Sequence, residues 1–266
     1  MRSNRVIAFV FAYVLAAFAM IGSAGATSAN TDLTDIWWNP SESGWGMQMV
    51  NTGRFIFVTV YAYGPDGKPT WFGGGLDKTA SGTFAGKLYV STGPHFAGSF
   101  NPTAVNVREA GTMTFVPTTI NSGQFTYSVD GVPVSKAVQR QPLPLDDYSG
   151  LYVASFAGTN TGCSILARNG PIGSAAAVEI TQSGQSMSAV WMYTDGNVCT
   201  HRGTYSQLGR MGRFDATYSC TYGEVGTAAY SEMTNRIALF NARVQMQSPT
   251  TGCASAMWMT GLSLEE

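Results

Sequence analysis

The chain predicts an all-β protein built from two tandem antiparallel β modules behind an N-terminal export signal. Three observations carry that prediction. Charged residues make up only 12% of the 266 positions, about half the usual share, while 31 glycines and many serines and threonines punctuate short apolar runs. Several of those runs alternate with a period of two, the periodicity of a strand with two distinct faces. Asp-Gly pairs at Asp66-Gly67, Asp130-Gly131 and Asp195-Gly196 supply the turn chemistry of hairpins.

The N-terminus reads as a secretory signal. Arg2 and Arg5 make it basic, and no acidic residue precedes Asp32. Val6 to Ile21 is an unbroken apolar run of 16 residues, followed by small residues that include Ala24-Gly25-Ala26. A basic start, an apolar stretch of about 7–15 residues and an A-x-A site define a signal peptide, with cleavage expected after Ala26. An uncleaved anchor would want about 20 apolar residues. No cysteine follows the run, which argues against a lipoprotein, and no later segment is long and apolar enough to be a transmembrane span. The expected location is exported, periplasmic or secreted. Cleavage would leave 13 basic and 16 acidic residues, a net charge of −3. There is no clustered basic face for nucleic acid and no polybasic segment for anionic lipid.

The expected domains are a signal peptide at 1–26, a tryptophan-rich first module at 27–140, a proline linker at 141–146 and a second module at 147–266. The alternating prolines of Gln141-Pro142-Leu143-Pro144-Leu145 cannot occupy a central strand and suit a semi-rigid connector. The halves resemble each other weakly. Asp35-Ile36-Trp37-Trp38, a polar loop and Gly44-Trp45 correspond to Gly150-Leu151-Tyr152, a polar loop and Gly162-Cys163. Tyr61-Ala62-Tyr63 before Asp66-Gly67 corresponds to Trp191-Met192-Tyr193 before Asp195-Gly196. Eight or nine short strands in each half, with turn signals between them, fit a sandwich or a small barrel. The sequential hairpins favour up-and-down barrels of the lipocalin or avidin kind.

Two segments predict register. In FTYSVDGVPVSK a two-residue turn at Asp130-Gly131 sets Val129 opposite Val132, Tyr127 opposite Val134 and Phe125 opposite Lys136. From Phe55 to Tyr63, the residues Phe55, Phe57, Tyr61 and Tyr63 point one way, and Ile56, Val58 and Val60 the other. A strand apolar on both faces is expected to be covered on both, as a central strand or through the other domain or a partner.

All four cysteines lie in the second half, and an even count in an exported chain predicts disulfides. A hairpin turning at Leu208 to Met211 places Cys199 opposite Cys220, whose Cβ atoms would then be within about 4.5–5.5 Å. Cys163 and Cys253 remain, and in a closed barrel they would staple the first strand to the last. A metal site at Cys199-Thr200-His201 with Cys220 is the weaker alternative, because zinc sites usually show CxxC-type pairs. Met47-Gln48-Met49 and Met257-Trp258-Met259 lack the histidines that would turn methionine into copper chemistry, and core packing is its commoner use. No metal and no cofactor are expected.

Catalysis is not favoured. None of the motifs G-x-S-x-G, H-E-x-x-H, G-x-x-x-x-G-K-[ST] or C-x-x-C occurs, and His95 and His201 are the two histidines. Asp35, Glu42, Asp66 and Asp77, the acids near the aromatic region, show no spacing that suggests a glycosidase pair. The distinctive segment is Asp35 to Gly46, DIWWNPSESGWG. It suggests a non-enzymatic binding module for a small or extended ligand, or for an envelope protein. Trp37, Trp38, Trp45, Tyr61 and Trp71 would stack on it, and Asn39, Glu42 and Ser43 would supply hydrogen bonds. The competing architectural reading has Trp37, Trp45 and Trp71 plugging a barrel end over a self-bonded turn. A structural part in a cell-surface assembly and an extracellular hydrolase are the other functions consistent with these residues.

The run W-W-N-P-x-E-S-G-W-G, carried by Trp37 to Gly46, precedes Y-x-Y-x-x-D-G-x-P-x-W, carried by Tyr61 to Trp71. Together they resemble a module that recurs in exported bacterial proteins and has no assigned activity. The resemblance covers most of the first half, through Ser135-Lys136 and Arg140, and the second half is similar to a cysteine-bearing companion module. It implies export and a β fold, and carries over no catalytic residue.

Overall fold

A computed structural model describes residues 31–264; the expected signal peptide and its cleavage site lie outside them. The first barrel consists of β1 (Asp35–Trp38), β2 (Gly46–Asn51), β3 (Phe55–Tyr63), β4 (Pro69–Lys78), β5 (Phe84–Thr92), β6 (Asn106–Pro117), β7 (Ser122–Val129) and β8 (Val132–Arg140). The second consists of β9 (Gly150–Thr161), β10 (Gly170–Ser183), β11 (Ser186–Met192), β12 (Val198–Leu208), β13 (Met211–Cys220), β14 (Val225–Arg236), β15 (Leu239–Gln247) and β16 (Ala254–Ser263). Each strand pairs antiparallel with the next, and the last closes on the first. Two short 3₁₀ turns are the helical elements among the described residues, and no helix there is long and apolar enough to cross a membrane. Closure decides between barrel and sandwich, because it leaves no strand edge unpaired.

The predicted registers follow from turn chemistry. Asp130 and Gly131 both have positive φ, 49° and 82°, as a two-residue turn between right-twisted strands requires. Phe125 therefore faces Lys136, Tyr127 faces Val134 and Val129 faces Val132. The internal resemblance falls on equivalent strands, the third and fourth of each barrel, but the turn bonds equate Gly64 with Tyr193, one residue away from the sequence correspondence, so Tyr61 points outward where Trp191 points inward. In the first turn Gly64 N donates to Lys68 O, Gly67 N to Gly64 O and Lys68 N to Asp66 Oδ1. In the second, Tyr193 N donates to Asn197 O, Gly196 N to Tyr193 O and Asn197 N to Asp195 Oδ1.

Side chains fill both barrels. Ile56, Val58 and Val60 point inward from β3 and are fully buried, as the period of two requires. Met47, Met49, Met257 and Met259 are core residues as well, which is methionine's gap-filling use. In the second barrel Phe156, Trp191, His201 and Tyr218 form a continuous stack with centroid separations of 5.0, 4.7 and 5.2 Å.

The two barrels close by different means. In the first, β1 and β8 share only the register pairs Trp37↔Arg140 and Trp38↔Gln139. The seam is reinforced by the Arg140 side chain, which is fully buried. Its Nη1 donates to Asp35 Oδ2 at 2.6 Å, its Nε to Ile120 O at 2.9 Å and its Nη2 to Asp32 O at 2.6 Å. The guanidinium also lies 5.0 Å from the Trp37 ring centroid. Asp35 Oδ2 accepts a further bond from Arg210 N, on the β12–β13 turn of the second barrel, at 2.9 Å. Gly209 in that turn has φ +57°, and a Cβ there would collide with the Asp35 carboxylate. Arg140→Ala would leave a buried carboxylate without its counter-ion and the Asp32, Thr34 and Ile120 carbonyls without that donor. We expect a loss of about 3 kcal/mol, within the range for breaking a buried pair, read from urea midpoints. A double Asp35→Leu, Arg140→Met variant should lose less, and equal losses would remove the ion-pair explanation.

In the second barrel β9 and β16 pair continuously from Ala254↔Thr161 to Ser263↔Tyr152. A Cys163–Cys253 disulfide ties the end of that seam, and Cys199–Cys220 joins directly opposed residues of β12 and β13. Both expected pairings are present, and no free cysteine remains.

Candidate functional site

Alternation along β1 separates the paired tryptophans. Trp37 points inward, is fully buried, donates its indole N–H to Leu33 O at 3.0 Å and packs edge-on against Phe115 at 5.2 Å. It is a core residue, so the expectation that it stacks on a ligand is corrected: its ring has no free surface. Trp38 points outward, half-buried, and its Nε1 has no hydrogen-bond partner.

The segment between them and β2 is a self-bonded turn. Ser41 N donates to Asn39 Oδ1 at 2.9 Å and Glu42 N to Asn39 O at 3.0 Å. Glu42 accepts from the Trp45 indole N–H at 2.9 Å and from Lys136 Nζ at 2.9 Å. The Lys136 hydrogen bond, then the Trp45 one, hold the Glu42 carboxyl below the usual carboxylate range. Trp45 packs against the first core, with Lys136 Nζ 5.9 Å from its ring centroid. Of the groups expected to bond a ligand, the Asn39 side-chain oxygen is taken up by the turn and the Glu42 carboxylate by Trp45 and Lys136. Trp45 is therefore shared between the core and the outer surface. Trp71 does not plug the barrel end: it lies outside the barrel, 51% exposed.

Trp71 belongs to an aromatic face on β3 and β4. Tyr61 stands directly opposite it and is 52% exposed. Phe55, Phe57 and Tyr63 continue the face along β3, all exposed. Of the coverings expected for this strand, a second layer of this chain is not found among the described residues, because a closed barrel covers one face of every strand and the rings on the other are exposed within the chain. β4 contributes Gly73 and Gly75 on the same side. A Cβ at Gly75 would strike the Phe55 ring at 2.5 Å, and one at Gly73 would touch Phe57 at 3.8 Å. The Phe55 and Phe57 rings lean over glycines of the neighbouring strand.

At one end the face opens into a cleft of about 390 Å³, at the lower end of ligand-site sizes. Trp38, Trp45, Tyr61 and Ile36 supply its apolar walls, Gly46 lies between them, and Gln48, Gln141 and Ser43 supply side-chain polar groups. No charged side chain lines it. A wider trough of about 860 Å³ on the second barrel lies over small residues such as Gly226, Thr227 and Ala254, and offers no exposed ring.

Compared with protein-family models, curated proteins and solved structures, the chain matches none. Its functional reading rests on its own residues.

The structure brings Trp38, Trp45, Tyr61 and Trp71 to one side of the first barrel and leaves Trp37 inside. Gln48 and Gln141 were missed by sequence reasoning. Gln48 was legible, because the alternation that buries Met47 and Met49 turns it outward. Gln141 was assigned to the linker, and its place beside the cleft depends on closure of β8 onto β1, where its N–H donates to Ile36 O at 2.8 Å.

Several of the residues considered for catalysis are engaged elsewhere. Asp35 is bound to Arg140 and Glu42 to Lys136. His95 lies tilted against Phe96, with centroids 4.6 Å apart, in an exposed loop. His201 is buried among aromatic rings, with Nδ1 3.0 Å from the Tyr230 hydroxyl. Cys199 and Cys220 are joined to each other, which removes the thiolates that a metal at Cys199-Thr200-His201 would need.

Proposed function

We propose that this protein is a non-enzymatic binding module that works outside the cytoplasm and holds its ligand on the outer β1–β4 face of the first barrel. The observation that carries the reading is the uncovered aromatic face running into the Trp38–Tyr61 cleft. Large exposed apolar patches mark interaction sites, and here the rings sit on a sheet whose interior is already filled. The two disulfides support an oxidising compartment, as does the signal-like N-terminus. The occupied states of Asp35 and Glu42 support binding over acid–base chemistry.

The test is native mass spectrometry of the protein purified gently from the envelope of its own cells, beside a Trp38→Ala, Tyr61→Ala, Trp71→Ala variant. The wild type should carry an extra mass that the variant lacks, with unfolding temperatures within a few degrees of each other. A bare wild-type mass, or an extra mass retained by the variant, overturns the assignment to this face.

A second reading has one observation in its favour. On the second barrel Val153 faces Leu262, which faces Leu239, and all three are exposed. That apolar row suits a structural contact within a surface assembly.

A further inference from the structure

We infer that the ligand of the first barrel is a neutral glycan, with one sugar ring seated between Trp38 and Tyr61 and the chain continuing along β3. The inference rests on the binding role proposed above and adds the chemistry of the ligand.

The seat follows from the register. Trp37 pairs with Met47 and Tyr61 with Gly46, so the outward positions across three strands are Trp38, Gly46 and Tyr61. A Cβ on Gly46 would lie 4.0 Å from the Trp38 Cβ, which places these two positions side by side. Gly46 has no side chain to fill the space between its neighbours. The two aromatic positions are two strand spacings apart, about 9.5 Å. A ring held between two aromatic planes at van der Waals contact of about 3.5–4 Å on each side fits that width.

The polar groups then select the class. A pyranose has apolar C–H faces and a rim of hydroxyls that donate and accept. The walls of the cleft are aromatic, and its side-chain polar groups are the amides of Gln48 and Gln141 and the hydroxyls of Ser43 and Tyr61. An amide offers two donors and an acceptor with two lone pairs, which matches vicinal hydroxyls and gives no preference to an ion. The nearest charges around the turn neutralise each other, with Lys136 Nζ 2.8 Å from Glu42 Oε2. A phosphate-bearing or uronic acid polymer would find no cation in the lining.

The face also suits a chain better than a single sugar. Phe55 to Tyr63 covers eight residue steps of an extended strand, about 27 Å. Trp71 widens it beside Tyr61, and Thr59 places a polar group midway along it. An apolar protein surface could use the rings, but it would leave the amide-lined seat over Gly46 unfilled.

The test uses the oxidised mature protein in affinity electrophoresis and titration calorimetry. The probes are a soluble neutral β-glucan, a neutral α-glucan and a galactomannan, with alginate as the anionic comparison. At least one neutral polymer should retard the protein and alginate should not. Trp38→Ala and Tyr61→Ala should each weaken binding about tenfold, the upper range for one aromatic contact, while Trp38→Phe retains most of it. Circular dichroism checks the fold, and Tyr61→Ala, at an exposed position, serves if Trp38→Ala fails to fold. Absence of binding to every neutral polymer, alginate binding of equal strength, or unchanged affinity in both alanine variants overturns the inference. If the neutral polymers fail while the native-mass difference persists, the face binds something else, such as an apolar protein. If both fail, the binding role falls with it.

Discussion

Reduction of the oxidised protein is expected to unfold its second barrel at a denaturant concentration that leaves the first intact. All four cysteines belong to the second barrel, and its two disulfides span sequence separations of 90 and 21 residues. Loop-closure entropy gives about 4.5 kcal/mol for the longer loop and about 3.5 kcal/mol for the shorter. Their combined effect, about 8 kcal/mol, is comparable with the whole stability of an ordinary domain. The first barrel contains no cysteine, and Arg140 holds its seam instead. Urea unfolding with and without reductant should therefore pass from one transition to two. Trp37, Trp38, Trp45 and Trp71 report the first barrel; Trp191 and Trp258 report the second. Thiol titration should find none before reduction and four after it. A midpoint that does not move once four thiols are free would show that the bridges contribute little. Free thiols in the untreated protein would remove the pairing itself.

Acid should destabilise the second barrel well before its carboxylates are protonated. His201 is enclosed by Trp191, Tyr218 and Tyr230, and burial pushes its pKa from 6.5 down to about 3. The folded state keeps the imidazole neutral through a range in which the unfolded chain takes up a proton. Stability is therefore flat above pH 6.5 and falls as pH drops from 6.5 towards 3. At about 1.4 kcal/mol per pH unit, the whole window amounts to about 5 kcal/mol, half of it spent by pH 4.7. His201→Phe keeps a ring in the stack and removes the proton. The variant should start less stable at pH 8, by about 1–3 kcal/mol, because the Tyr230 hydroxyl loses its partner. Its stability should then stay level down to pH 5, where the wild type declines. Equal slopes in urea midpoints from pH 8 to 5 would assign the acid sensitivity elsewhere.

These expectations differ in how much of them the sequence announced. The disulfide pairing was legible because a hairpin's midpoint sets every cross-strand neighbour, so Cys199 opposite Cys220 follows from the turn at Leu208 to Met211. His201 was not legible in the same way. Cys-Thr-His gave it the look of a ligand residue, and only the barrel interior shows that rings from β11, β13 and β14 enclose it. The candidate site divides along the same line. Trp37, Trp38, Trp45 and Trp71 stand out together as a tryptophan-rich group, and alternation alone does not say which member of the Trp37-Trp38 pair faces the core. Asn39 and Glu42 are suggested by the chemistry of their side chains, whose oxygens the turn takes up.

Sequence alone determined the all-β class, two modules of eight or nine strands, the registers of the Asp130-Gly131 and Leu208–Met211 hairpins and the partition of strands into two faces, because these depend on nearest neighbours and a period of two. It did not determine which of two apolar faces would be buried on β3, or which residues from distant strands would meet. Closure decided that. Bringing β8 onto β1 buried Arg140 against Asp35 and carried Gln141 to the edge of the cleft. It also turned Phe55 and Phe57 outward over the glycines of β4 and Tyr61 outward beside Trp71. A barrel has one inside, and only the tertiary structure chooses which face of each strand fills it.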